Sequence, residues 1–175
     1  MAKSSREQIK QDEEKVIVEL RANAKQSIDI IAKNCGFSRQ KVWRIMKRLE
    51  DNKTIWGYTA VLDDEKLGLT RYLILFKRNS IPLPQSHIDM IAKRGLQKQM
   101  EKEGVSTDCS YFLHGDFDWA LNVTGKNIAD VKRFVDGFNK IFGDYISEVK
   151  IITVILPMEQ CGVDNPSPKK VYDYF

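Results

Sequence analysis

Phe37-Ser38-Arg39-Gln40-Lys41-Val42-Trp43-Arg44-Ile45-Met46-Lys47-Arg48-Leu49-Glu50-Asp51 is the stretch on which the fold turns. At helical period Val42, Ile45, Met46 and Leu49 share one face, and Arg39, Gln40, Trp43, Arg44 and Lys47 share the other. Ser38 is placed as an N-cap, its hydroxyl free to accept an otherwise unpaired backbone N–H. Five cations crowd the segment, while Glu50 and Asp51 sit at its C-terminal end, where the helix dipole disfavours acids. Dipole complementarity therefore does not explain the charge order. A negatively charged partner at the front of the helix does, although a solvated amphipathic helix would carry a similar stripe.

The flanking residues decide between those readings. Upstream, Asp12 to Ala22 reads as a helix with Val16, Ile17 and Leu20 as its apolar stripe, and Met1 to Lys10 as a loose arm or the front of that helix. Asn23 to Gln26 breaks it. Ser27 then caps a short helix from Ile28 to Asn34, with Ile28, Ile31 and Ala32 facing inward. Gly36 supplies the positive φ that a tight helix–helix turn needs. Helix, short helix, glycine turn and basic helix is the order of a helix-turn-helix. Downstream, Ile55-Trp56-Gly57-Tyr58-Thr59-Ala60-Val61 reads as an extended wing strand with aromatic support.

Charge distribution agrees. Residues 1–60 hold 13 Lys/Arg against 8 Asp/Glu, and residues 61–175 hold 15 against 16, so the excess positive charge lies in the first third. That asymmetry points to a polyanion-binding module joined to a part with another task. The three cysteines, Cys35, Cys109 and Cys161, are widely spaced, and the two histidines are His87 and His114. No metal site, disulfide framework or cofactor is expected. There is no secretion signal and no bilayer-length apolar run, so the expectation is a soluble cytoplasmic protein without a membrane partner.

From Arg71 onward the pattern changes. Tyr72 to Phe76 is an apolar strand, ended by Pro82 and Pro84, which open a helix from Gln85 toward Glu103 with Gly95 weakening its middle. Thr107 to Leu113 and Asp118 to Thr124 read as strands joined by the turn His114-Gly115-Asp116-Phe117. Asn127 caps a second helix, with Ile128, Val131, Phe134, Val135, Phe138 and Ile141 as its buried stripe and Gly143 as its end. Ser147 to Leu156 is the last strand, and residues from Pro157 read as an irregular tail. The order βαββαβ is that of ferredoxin-like domains. The fold class is thus α+β: a winged helix-turn-helix over 1–62, a linker over 63–70, a ferredoxin-like domain over 71–157 and a tail over 158–175.

Residues 12–69 resemble the N-terminal domain of the leucine-responsive/asparagine-regulator (Lrp/AsnC) family of transcription regulators. The resemblance is carried by Ile31-Ala32, Gly36-Phe37-Ser38, Arg48-Leu49-Glu50, Ile55 and Gly57-Tyr58-Thr59-Ala60. Ile45 stands where the family commonly has a basic residue. Lys53 stands where it commonly has glycine, which suggests a slightly different turn before the wing. Gly115-Asp116-Phe117-Asp118 matches the loop of the family's effector domain, called RAM (regulation of amino-acid metabolism).

A helix entering the major groove reads base edges with its N-terminal residues, and Arg and Gln make bidentate contacts to guanine and adenine. Arg39, Gln40, Trp43 and Arg44 are therefore candidates for base edges, and Lys41, Lys47, Arg48 and the Ser38 hydroxyl for phosphates. Trp43 either meets a thymine methyl or sugar edge or packs on the first helix. Specific binding needs two such helices on one duplex, hence a homodimer. The resemblance implies pairing through the sheet domain and further assembly to tetramers or octamers. It also implies an amino-acid effector, with His114, Gly115, Asp116 and Asp118 as candidate contacts, although Gly-Asp at a hairpin is ordinary turn chemistry. The alternative is a tetrapyrrole decarboxylase of the siroheme type, which shares the two-domain plan. An RNA-binding sheet is disfavoured because the RNP signature is absent.

Overall fold

A computed structural model describes residues 5–93 and 104–175. It divides into two compact units, one of residues 1–61 with 159–166, the other of 62–158 with 167–175.

The first unit is a three-helix core. α1 spans Arg6–Ala22, α2 Ile28–Cys35 and α3 Arg39–Asp51. α1 begins six residues earlier than its apolar stripe suggests, because Ser5 supplies a cap, its Oγ accepting the Gln8 N–H at 3.1 Å. Ser27 and Ser38 cap the next two helices in the same way, accepting from Ile30 and Lys41. Gly36 closes α2 at φ 69°, and the Phe37 N–H then bonds to the Ala32 carbonyl at 2.8 Å. That left-handed step turns the chain from α2 into α3. Val16, Leu20, Ile31, Ala32, Val42, Ile45 and Leu49 are buried together, each on the face its helical spacing indicates.

The wing differs from its expectation. Residues 55–61 form no strand. A strand requires a second strand to complete its hydrogen-bond ladder, and among the described residues none pairs here. Trp56 is 92% exposed and so gives no aromatic support, whereas the Tyr58 hydroxyl donates to Glu50 Oε1 on α3 at 2.9 Å. Lys53 adopts φ 62°, the left-handed conformation in which a glycine would be at ease.

The second unit contains β1 (Thr70–Arg78), α4 (Gln85–Ala92), β2 (Ser106–Phe112), β3 (Trp119–Gly125), α5 (Ile128–Phe142) and β4 (Ile146–Thr153). The strands form one antiparallel sheet in the order β2-β3-β1-β4, as the βαββαβ pattern requires. The described part of the first helix in this unit ends at Ala92. The remainder of its expected span, including Gly95, lies outside the described residues. Register places Tyr72, Ile74 and Phe76 opposite Val123, Leu121 and Trp119. These residues form one core with Val131, Phe134, Phe138 and Phe142 of α5. The opposite face carries Leu73, Leu75, Ala120, Tyr111 and Ile152. At the start of β1, Arg71 holds Asp64 at 2.7 Å and also bonds to Asp108 and Asn122, tying residue 64 to the sheet.

The C-terminal residues are more ordered than an irregular tail. Glu159–Gln160 (β5) pairs with Val163–Asp164 (β6), and Pro168–Asp173 forms a 3-10 helix.

Candidate nucleic-acid interface

α3 has one face fixed and one face free. Val42, Ile45 and Leu49 are buried in the three-helix core, so rotation about the helix axis is determined by packing. The opposite face presents Arg39, Gln40, Trp43, Arg44 and Lys47, all exposed. These positions lie on one stripe because residues three and four apart are neighbours on a helix.

Neighbouring acids divide the cations into two groups. Lys41 is half-buried, its Nζ 2.7 Å from the buried Asp12 carboxylate of α1 and 3.8 Å from the centre of the Phe37 ring. It reaches toward α1, whereas the sequence places it among the phosphate candidates. Arg48 donates to Glu13 at 2.7 Å, also on α1. Arg39 pairs with Asp29 of α2 at 2.9 Å, but both partners are well exposed. A pair of that kind contributes only ~0–1 kcal/mol, so Arg39 can exchange it for a phosphate or base. Arg44 makes only a local bond, Nε to the Gln40 carbonyl at 3.3 Å. Lys47 lies 5.3 Å from the Trp43 ring centre. Trp43 itself is 51% exposed and stands on the stripe, not in the interior. The Ser38 hydroxyl is engaged as the helix cap.

The Lys41–Asp12 contact has an electrostatic signature. The hydrogen bond from Lys41 holds the Asp12 carboxyl below the usual carboxylate range, outweighing the burial that raises it. The contact pins α3 to α1. No spacing rule foretold it, because the partners are twenty-nine residues apart on different helices.

The turn expected to take an effector is less of a site than its residues suggest. His114, Gly115 and Asp116 are exposed at the turn. Asp118 is half-buried and occupied, its Oδ2 accepting the Arg78 N–H at 2.7 Å while its own N–H donates to the Phe76 carbonyl. Asp118 thus ties the hairpin to the end of β1. It also borders a cavity of about 180 Å³ in the second unit, which the other three residues do not line. Among the described residues no group of three His, Cys, Asp or Glu side chains could hold a metal ion. Among them also, no helix is long and apolar enough to cross a membrane.

A family model for winged helix-turn-helix DNA-binding domains matches residues 13–55, the segment holding most of the three-helix core and the exposed stripe. The chain is 26% identical over 156 residues to the DNA-binding transcriptional activator DecR of Escherichia coli, covering 88% of this chain and 94% of that protein. A crystal structure of an AsnC family transcriptional regulator from Agrobacterium tumefaciens matches with a TM-score of 0.62 at 18% identity, covering 90% of this chain and 97% of that one. The L-Met complex of the transcriptional regulator NMB0573 from Neisseria meningitidis matches with a TM-score of 0.65 at 17% identity, covering 90% and 96%. Residues 13–55 therefore form a winged helix-turn-helix DNA-binding domain, and the chain carries the fold of the Lrp/AsnC transcription regulators.

Proposed function

We propose that this protein is a sequence-specific DNA-binding transcription regulator that reads duplex DNA with α3. One observation carries the reading: Arg39, Gln40, Trp43, Arg44 and Lys47 form a continuous exposed stripe on a capped helix whose other face is locked in a core. Arg39, Gln40 and Arg44 suit base edges, each good bidentate contact adding about 1–3 kcal/mol of discrimination. Lys47 suits a phosphate.

Two copies act on one site. A single helix buries too little for specificity, and two helices on one duplex fit half-sites about 34–36 Å apart. The apolar sheet face of Leu73, Leu75, Ala120 and Ile152 is the surface we assign to pairing. A small-molecule effector acts on the same domain. The methionine complex of the Neisseria regulator supports this reading.

The decarboxylase alternative is not favoured. Of the two histidines, His87 shares a hydrogen bond with the Ile141 carbonyl at 3.0 Å and packs edge-on against Phe142 and Tyr145. His114 lies exposed on a turn.

The test is selection of bound duplex from random sequence, followed by gel shifts with Arg39→Ala plus Arg44→Ala. The expected result is loss of preference for the selected duplex with unchanged size on gel filtration. Equal binding of duplex DNA and single-stranded RNA by the unaltered protein, or unchanged preference in the double variant, would overturn the proposal.

A further inference from the structure

Arg39 differs from the other cations of the exposed stripe. Its Nη1 donates to Oδ2 of Asp29, an acid in the first turn of α2, at 2.9 Å. Among the described residues, Arg44 and Lys47 have no carboxylate within ion-pair distance. The acids that engage Lys41 and Arg48 belong to α1. Among the described residues, Asp29 is thus the one carboxylate paired with a cation of the stripe.

Stability does not account for this pair. The Arg39 side chain is 69% exposed and that of Asp29 63%, and an ion pair so open to water stabilises little. Toward a polyanion the carboxylate is a liability, since it offsets the first positive charge of α3 and repels phosphates. What the contact supplies is geometry. α2 and α3 are locked together: Gly36 turns one into the other, the Phe37 N–H bonds to the Ala32 carbonyl, and Ile31 and Ala32 share a core with Val42 and Ile45. Asp29 therefore stands at a fixed place relative to the first residue of α3. Its bond restrains a long side chain that would otherwise sample many rotamers.

The bond takes one guanidinium nitrogen and leaves the others. Among the described residues, Nε and Nη2 of Arg39 donate to no protein group. Those two groups lie side by side, in the fork that matches the O6 and N7 acceptors of guanine.

We infer that Asp29 is a positioning residue for base recognition. It holds Arg39 by Nη1, presents the Nε–Nη2 edge to a guanine, and withholds the charge of Arg39 from phosphates. Arg44, with no acid beside it, keeps its charge for base or backbone alike. The inference rests on the reading of α3 as the helix that meets DNA.

The test uses the full-length protein and the duplex selected from random sequence, with each guanine replaced in turn by 7-deazaguanine, which lacks the N7 acceptor. Fluorescence anisotropy reads the affinities, and thermal melting confirms that each variant is folded. One replacement should weaken the unaltered protein about tenfold and leave Arg39→Ala indifferent, which marks the guanine read by Arg39. At that guanine Asp29→Asn should lose most of the discrimination, while Arg44→Ala retains it. Asp29→Asn should also bind unrelated duplex more tightly, with a salt slope steeper by about 1, because a released cation meets phosphate. An acid needed only by α2 would lower the melting temperature and move neither discrimination nor slope.

Three results overturn the inference: full discrimination in Asp29→Asn, a loss spread equally over all guanines, or no guanine to which Arg39→Ala is indifferent. A protein that selects no duplex removes the DNA reading and this inference with it. A selective protein whose Asp29→Asn variant discriminates fully removes only this inference.

Discussion

The Lys41 ammonium of α3 lies 2.7 Å from the buried Asp12 carboxylate of α1, so one cation of this basic helix holds the helix in place. Asp12 has its carboxyl group held below the ordinary range. A carboxylate with a lowered folded-state pKa adds stability that is present above its unfolded value near 4 and lost as pH falls through the folded value. Asp12→Asn should therefore lower stability at neutral pH by about 1–3 kcal/mol and flatten the acid limb of a pH–stability curve. Thermal melts between neutral and strongly acidic pH check both. An unchanged acid limb would show that Asp12 does not govern it.

Lys41 and Lys47 should separate in DNA binding. Lys47→Ala is expected to weaken duplex binding about equally across sequences and to reduce the slope of log affinity against log salt by about 1. Lys41→Ala should leave that slope unchanged while lowering the melting temperature. Fluorescence anisotropy over a salt series reads the slope, and equal slope changes in the two variants would refute the division.

Lys53 pays a conformational cost. At φ 62° a side chain with a Cβ is disfavoured by roughly 1–2 kcal/mol. Glycine removes that strain but adds about 0.4–1 kcal/mol of unfolded-state freedom. Lys53→Gly should therefore stabilise the protein modestly, by about 0.5–1 kcal/mol. Urea denaturation gives the sign, and destabilisation would mean that the Lys53 side chain makes a contact worth more than the strain.

Gly36 provides the opposite case. A Cβ there would meet nothing within 4 Å, so only its φ of 69° opposes substitution. Gly36→Ala is expected to cost about 1 kcal/mol net, strain less the entropy gained in the unfolded chain. A loss several times larger in the same denaturation experiment would point to displacement of α3.

Tyr58 should titrate late. Burial and the neighbouring Glu50 carboxylate push its phenol up to about 12. A raised folded-state pKa means the contact contributes below the unfolded value near 10 and is lost as pH rises through about 12. One tyrosine should resist ionisation in an ultraviolet titration, and Glu50→Gln should bring it down. Identical curves for the two proteins would show that Tyr58 and Glu50 are not coupled.

Periodicity and capping residues carried most of the fold by themselves. Ser27, Ser38, Gly36 and Asn127 mark helix boundaries through bonds to residues within a few positions, so their meaning is local and readable. Val42, Ile45 and Leu49 face inward wherever the helix is placed. The apolar run Tyr72 to Phe76 marks a strand, but only packing chose Tyr72, Ile74 and Phe76 over Leu73 and Leu75 as its core face. Tertiary structure alone decided which charges are spent. Lys41 and Lys47 look alike in sequence, and a partner on α1 twenty-nine residues away engages one of them. The same applies to Arg78, whose Nε is buried without a hydrogen-bond partner among the described residues, beside a cavity walled by six elements of the second unit. Residues 55–61 lack a strand for a related reason, since a ladder belongs to a pair of segments and one segment cannot specify it. Short-range geometry is written in neighbouring residues. Long-range electrostatic and hydrogen-bond pairing exists only once the chain has closed on itself.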